Sequence, residues 1–281
     1  MKEYLQALDT VLTNGRHKTN RTGIDTLSIF GYQMRFNLQN RFPAVTTKKL
    51  AWRAVVSELL WMLEGSSDER RLCEILHGTR DTNKTTIWTA NANADYWINH
   101  AEFLGDCGRI YGKQIRDWRT FDGGSVDQIQ NLINSIKSNP SDRRHIIVNY
   151  NPGEIDKMCL PPCHAMCQFD VTDGMLSCQL YQRSADLLLG VPFNIASYSL
   201  LTHMIAQVCE LKVGEFVHTF GDLHLYFNHI DQAREQLSRS PLALPRLSLN
   251  LEIKEIDKFT MDDISLIDYQ YHPAIKAEMA V

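Results

Sequence analysis

Two adjacent prolines near the middle of the chain, in Leu160-Pro161-Pro162-Cys163-His164-Ala165-Met166-Cys167-Gln168-Phe169, forbid a continuous helix there. Each lacks a backbone donor, and its ring clashes with the preceding turn. The residues that follow are therefore expected to be extended. In a strand Cys163 and His164 point to opposite faces, and Cys163 and Cys167 lie about 13 Å apart at ~3.3 Å per residue. Zinc holds sulfur at about 2.3 Å, so Cys159, Cys163, His164 and Cys167 share a metal only across a sharp turn. No metal is expected. Two readings of Cys163 remain, a buried structural thiol and a nucleophile.

The second reading draws on Gln182-Arg183-Ser184-Ala185-Asp186 and Gly190-Val191-Pro192-Phe193-Asn194. Residues 175–182 alternate as a strand able to pair beside Cys163, and a guanidinium near a thiol favours the thiolate. A cysteine–histidine hydrolase needs an imidazole as base, and His164 faces the wrong way. His203, His218, His224 and His229 keep that option open.

Around this centre the patterns are mixed. Tyr4, Leu5, Leu8, Val11 and Leu12 recur at helical spacing up to Asn14-Gly15. Residues 26–38 alternate and suggest a strand pair turning near Gly31. An apolar helix interrupted by Glu58 is expected over 51–63, a short one near 68–77, another over 127–136, and a buried one over 195–210. Residues 141–149 pass from a charged turn into a strand. Residues 223–237 read as a helix, and Leu247, Leu249, Leu251 and Ile253 as a strand. Residues 66–106 are polar and irregular. Without a regular strand–helix period or an internal repeat, the expectation is α+β, a single domain over 1–281 with a large mixed β-sheet flanked by helices.

Bulk properties narrow the function. A chain of 281 residues that is 44% hydrophobic supports a substantial core. Its net charge of -4 and lack of an aromatic-basic surface motif argue against nucleic acid as a partner. The seven cysteines, an odd number with no secretory signal ahead of them, point to reduced thiols in the cytoplasm. No apolar run reaches the roughly 18 residues of a membrane span.

The chain resembles the thymidylate synthase family from end to end. The resemblance is carried by Asn20-Arg21-Thr22-Gly23, Phe42-Pro43-Ala44-Val45-Thr46-Thr47-Lys48-Lys49, Glu58-Leu59-Leu60-Trp61, Ile87-Trp88, Ile110-Tyr111-Gly112-Lys113-Gln114 and Asp142-Arg143-Arg144. The Pro-Pro-Cys-His stretch, residues 182–194, Gly221-Asp222-Leu223-His224-Leu225-Tyr226 and the end from His272-Pro273 to Ala280-Val281 complete it. It implies reductive methylation of dUMP to dTMP, with methylenetetrahydrofolate giving carbon and hydride, in a cytoplasmic homodimer that pairs through one sheet face. Cys163 would add to carbon 6 of uracil and so make carbon 5 nucleophilic. Glu58, Tyr111, His164 and Asp186 would be the other catalytic residues.

Arg21 and Arg183 would grip the phosphate, joined by Arg143 and Arg144 from the neighbouring subunit. Gln182, Ser184, His224 and Tyr226 would also bind the nucleotide, and Asn194 would read the uracil edge. The bland reading of Asn194 is a helix cap before Ile195. Ile87, Trp88, Asp186, Leu189, Gly190, Phe193 and Ala280 would hold the cofactor, under a C-terminal tail.

Four positions depart from the family pattern. Asn91 and Ile115 stand where tryptophan is usual, Leu188 where phenylalanine is frequent, and Phe220 where glycine is usual. A looser, wetter cofactor wall suits a dUMP hydroxymethylase, in which water takes the place of hydride. An RNA-binding regulator is a further alternative that the family permits.

Overall fold

The computed structural model describes residues 1–20 and 23–278; Arg21 and Ala280 lie outside them. Helix α1 (Lys2–Asn14) buries Tyr4, Ala7, Leu8 and Val11 at helical spacing. It ends at Gly15, where a Cβ would stand 2.4 Å from the Val11 carbonyl oxygen. Strand β1 (Arg16–Lys18) pairs antiparallel with β2 (Thr26–Asn37).

Helices α2 (Trp52–Leu63), α3 (Glu69–His77), α4 (Thr89–Ala92) and α5 (Tyr111–Arg116) follow. Strands β3 (Trp118–Arg119) and β4 (Ser125–Val126) form a small hairpin before α6 (Gln128–Ser138). Helices α3 and α6 start on side-chain caps: the Asp68 and Asp127 carboxylates accept from the amides of Arg70 and Gln130.

Then come β5 (Ile146–Val148), β6 (His164–Thr172), β7 (Met175–Asp186), α7 (Gly190–Val208) and β8 (Lys212–Tyr226). Helix α8 (Ile230–Ser238) precedes the β9 (Arg246–Leu249) and β10 (Ile264–Ile267) pair. The large sheet runs β1-β2-β8-β7-β6-β5. It is mixed, because β7 and β8 are parallel while its other neighbours are antiparallel. Helix α7 makes the crossover and packs on both parallel strands.

One sheet face forms the core, with Met34, Phe36, Phe216, Phe220, Leu180 and Phe169 buried beneath α7. The other face is partly open. Gln33 and Gln179 both donate to the Thr219 hydroxyl, Arg35 pairs with Glu215, and Phe30 is 85% exposed.

Four local expectations need correction. Residues 26–37 are one strand: Gly31, at φ 81°, bends it while Phe30 and Tyr32 keep their register with Asp222 and Phe220. Residues 223–226 are the end of β8 and not a helix, because Leu223 and Leu225 pair with β2 and Leu223 also pairs with β7. The strand expected over 247–253 stops at Leu249, and Leu251 is exposed. Helix α7 starts at Gly190, so Asn194 lies inside it and caps nothing. No side chain caps that end; the Asp186 carboxylate accepts from the amides of Leu188 and Leu189 in the turn that precedes it.

Candidate active site

The Pro-Pro step delivers Cys163 to the mouth of β6, half-buried. The Arg183 amide donates to the Cys163 carbonyl at 2.8 Å, which extends the β6–β7 ladder to the thiol-bearing residue. The Arg183 guanidinium turns back on the same segment. It donates to the Pro162 carbonyl at 2.9 Å and the Pro161 carbonyl at 2.7 Å, and lies 5.8 Å over the Tyr150 ring. A fixed positive charge therefore stands beside the loop that carries the sulfur, as expected from the strand pairing.

From α5, the Tyr111 hydroxyl accepts from the amides of Cys163 at 2.7 Å and His164 at 3.2 Å. Burial above all, with the Cys163 charge adding to it, pushes the phenol far up, so it stays protonated. The His164 ring packs between Tyr111 and Tyr198, at 5.1 and 5.2 Å. Burial drives this imidazole down to about 4 against an opposing bond from Asn194. It is neutral at neutral pH.

Glu58 projects from the apolar helix α2. Its carboxylate accepts from the Trp88 indole at 2.7 Å. Burial raises its pKa and the indole bond opposes the rise. Trp88 is itself buried between Trp61 and Tyr111, whereas its neighbour Ile87 is 55% exposed. An apolar surface next to a buried carboxyl is thereby open to solvent.

The ends of β7 and β8 supply the rest. The Gln182 amide nitrogen donates to the Asn194 side-chain oxygen at 3.1 Å and the Ser184 carbonyl at 3.0 Å. Asp186 pairs in register with His224, directly before the turn with Leu189 that opens α7 at Gly190 and carries Phe193. His224 lies 3.4 Å from the Asp222 carboxylate and edge-on to Tyr226. Burial would raise the Asp222 pKa, but bonds from His224, Lys18 and Ser28 outweigh it and hold the carboxyl far below its usual range.

Arg143 and Arg144 sit in the exposed turn before β5, at the sheet edge opposite β1, with Arg144 folded onto Asp142 at 2.8 Å. Two features have no counterpart in the sequence reading. Lys48 is buried and donates to the Leu188 carbonyl at 2.6 Å; burial lowers it to about 8 against the pull of Asp186. Glu69, 0% exposed, accepts from Arg70, Thr86 and Thr89 and so gathers the segment that carries Trp88. Neither stands out in the sequence: Lys48 lies between Thr47 and Lys49, and Glu69 between Asp68 and Arg70.

A cysteine whose backbone is held by an arginine on one side and a buried aromatic stack on the other suits enzymes that attack an electron-poor group through sulfur. The profile of the family described as Thymidylate synthase matches residues 2–281, essentially the whole chain. The chain belongs to the thymidylate synthase family, which makes it an enzyme of the methyltransferase class.

Proposed function

We propose that this enzyme converts dUMP to dTMP by reductive methylation, with Cys163 as the attacking atom. The observation that carries the reading is the double hold on that residue. Tyr111 accepts from its amide, and Arg183 bonds its carbonyl and the two prolines before it. Cys163 adds to carbon 6 of the uracil and makes carbon 5 a nucleophile. Asn194 reads the ring edge, with Gln182 and Ser184 behind it. Arg183 and Arg21 hold the phosphate, while His224 and Tyr226 hold the sugar. The role of Arg21 rests on the resemblance alone.

Ile87, Trp88 and Phe193 would form the wall for a flat heteroaromatic group, with Trp88 bonded to Glu58. The second oxygen of Asp186, whose first is taken by two amides, suits a ring N–H. Leu189 and Gly190 complete this wall. Methylenetetrahydrofolate supplies the one-carbon unit and the hydride there. Glu58, kept protonated more readily by burial, passes protons with Tyr111 and His164, and Ala280 belongs to the tail over the ligand.

We further propose one domain over 1–281, acting as a cytoplasmic homodimer. No two of the seven cysteines are joined in a disulfide. The open sheet face, with Phe30 and Tyr181 exposed, would meet its copy, and the exposed Arg143 and Arg144 would reach the partner's phosphate site. Asn91, half-buried one turn from Trp88, favours hydroxymethylation as the second reading. Incubation with dUMP and methylenetetrahydrofolate decides. Dihydrofolate and dTMP are expected; tetrahydrofolate with 5-hydroxymethyl-dUMP would select the second reading. Cys163→Ala should abolish either, and surviving turnover would sink the mechanism.

A further inference from the structure

Behind the nucleotide-facing residues lies a chain of three side chains. His218, on β8, is 0% exposed. Its Nε2 stands 2.8 Å from the Gln182 side-chain oxygen, and the Gln182 amide nitrogen donates to Asn194. The His218 ring is wedged against Phe220, with centroids 3.9 Å apart, and against Phe216 at 5.3 Å. Its Nδ1 is buried without a hydrogen-bond partner.

Only one proton arrangement satisfies this chain. The Ser184 carbonyl accepts from the Gln182 nitrogen, so the Gln182 oxygen faces His218 and requires an N–H at Nε2. Moving the proton to Nδ1 would bury a donor with nothing to receive it and set two lone pairs against each other. That costs the desolvation of an unmade hydrogen bond. Burial holds the ring neutral, so it cannot carry both protons.

We propose that His218 is a positioning residue for pyrimidine choice: its Nε2–H holds the Gln182 amide, and through it the Asn194 amide, in the orientation that matches uracil. This rests on the reading in which Asn194 faces the ring edge. Uracil offers a donor at N3 and an acceptor at O4. An Asn194 whose oxygen points toward Gln182 and N3, with its nitrogen toward O4, matches both. Cytosine reverses the pattern and needs the amide inverted. Inversion would bring the Asn194 nitrogen against the Gln182 nitrogen. If Gln182 inverted as well, its oxygen would meet the Ser184 carbonyl and its nitrogen the His218 N–H. His218 and Ser184 thus clamp the amide from opposite ends. His218, fully buried, does so from behind the surface that a nucleotide would touch.

The test is the ratio of dCMP to dUMP dissociation constants, measured calorimetrically for the full chain, His218→Phe and His218→Gln. Phenylalanine keeps the ring packing but removes the donor. The ratio should fall about tenfold, the equivalent of one hydrogen bond at about 1.4 kcal/mol. Glutamine carries a donor to a similar reach and should hold the ratio within about twofold. An unchanged ratio in His218→Phe, or an equal fall in both variants, would overturn the proposal. A wild-type chain without preference for dUMP would instead overturn the reading of Asn194 on which it depends. Should His218→Phe fail to fold, nitrogen NMR of the wild-type ring decides: a proton on Nε2 is expected, and one on Nδ1 refutes the clamp.

Discussion

Replacing Trp88 with phenylalanine removes one donor, the indole N–H 2.7 Å from the Glu58 carboxylate, and keeps an aromatic ring between Trp61 and Tyr111. A hydrogen bond to an ionised group contributes about 1.5–3 kcal/mol, and one pKa unit is about 1.4 kcal/mol. Burial already raises the Glu58 pKa and the indole is the group opposing it, so its loss should raise the value by roughly one to two units more. Infrared titration of the protonated carboxyl stretch reads this directly, with Glu58→Gln identifying the band. The limb of the rate profile that follows Glu58 should move alkaline with it. The smaller ring also leaves a gap, and a melting curve separates that loss from the titration. An unmoved band, or a shift toward acid, would refute the claim that the indole stabilises the carboxylate.

Two further outcomes follow from buried charge. Glu69→Gln leaves the Arg70 guanidinium, itself buried, without its counter-charge. It should cost about 3 kcal/mol in urea unfolding and speed amide exchange around Trp88; a loss below about 1 kcal/mol would show the network to be incidental. The folded chain should also weaken between pH 6.5 and 4. Burial lowers His164 and His203 from 6.5 to about 4, so the unfolded chain binds protons there that the folded chain refuses. His164 alone accounts for about 3 kcal/mol by the low end of that window. Glu58, raised by burial, works with the opposite sign and offsets part of it. Denaturation at stepped pH should show the net fall, and His164→Gln should flatten it.

Local chemistry made much of this legible. The prolines kept helix out of the approach to β6, although Cys163 itself is a bend just before the strand; a lone carboxyl in an apolar helix marked Glu58, and helical spacing gave α1, α2 and α6. Long-range pairing hid the rest. Residues 223–226 carry leucines at period two inside a longer stretch of helical spacing, and only their pairing with β2 and β7 makes them strand. The start of α7 was hidden because no side chain caps it, and Asp186 instead fixes the turn before it. Gln182 and His218 are 36 residues apart and meet only because two strands run parallel. Residues 66–106 have little apolar rhythm because the buried Glu69 ion pair and its threonines organise part of them.

The same geometry sorts the four departures from the family pattern. Ile115, Leu188 and Phe220 are all buried. Ile115 lines an internal cavity of about 20 Å³, mostly apolar, with Asn149 as one polar wall. One such volume holds at most about one water, which needs several polar partners. Leu188 offers its carbonyl to Lys48, and Phe220 is the ring against which His218 is wedged. None of these three places a polar group where water would reach a methylene on the pyrimidine. Asn91 differs, because it is half-buried and follows Trp88 by one helical turn. The choice between hydride and water as the final acceptor therefore turns on whether that amide draws solvent to the Trp88 wall, and the nucleotide product reports it directly.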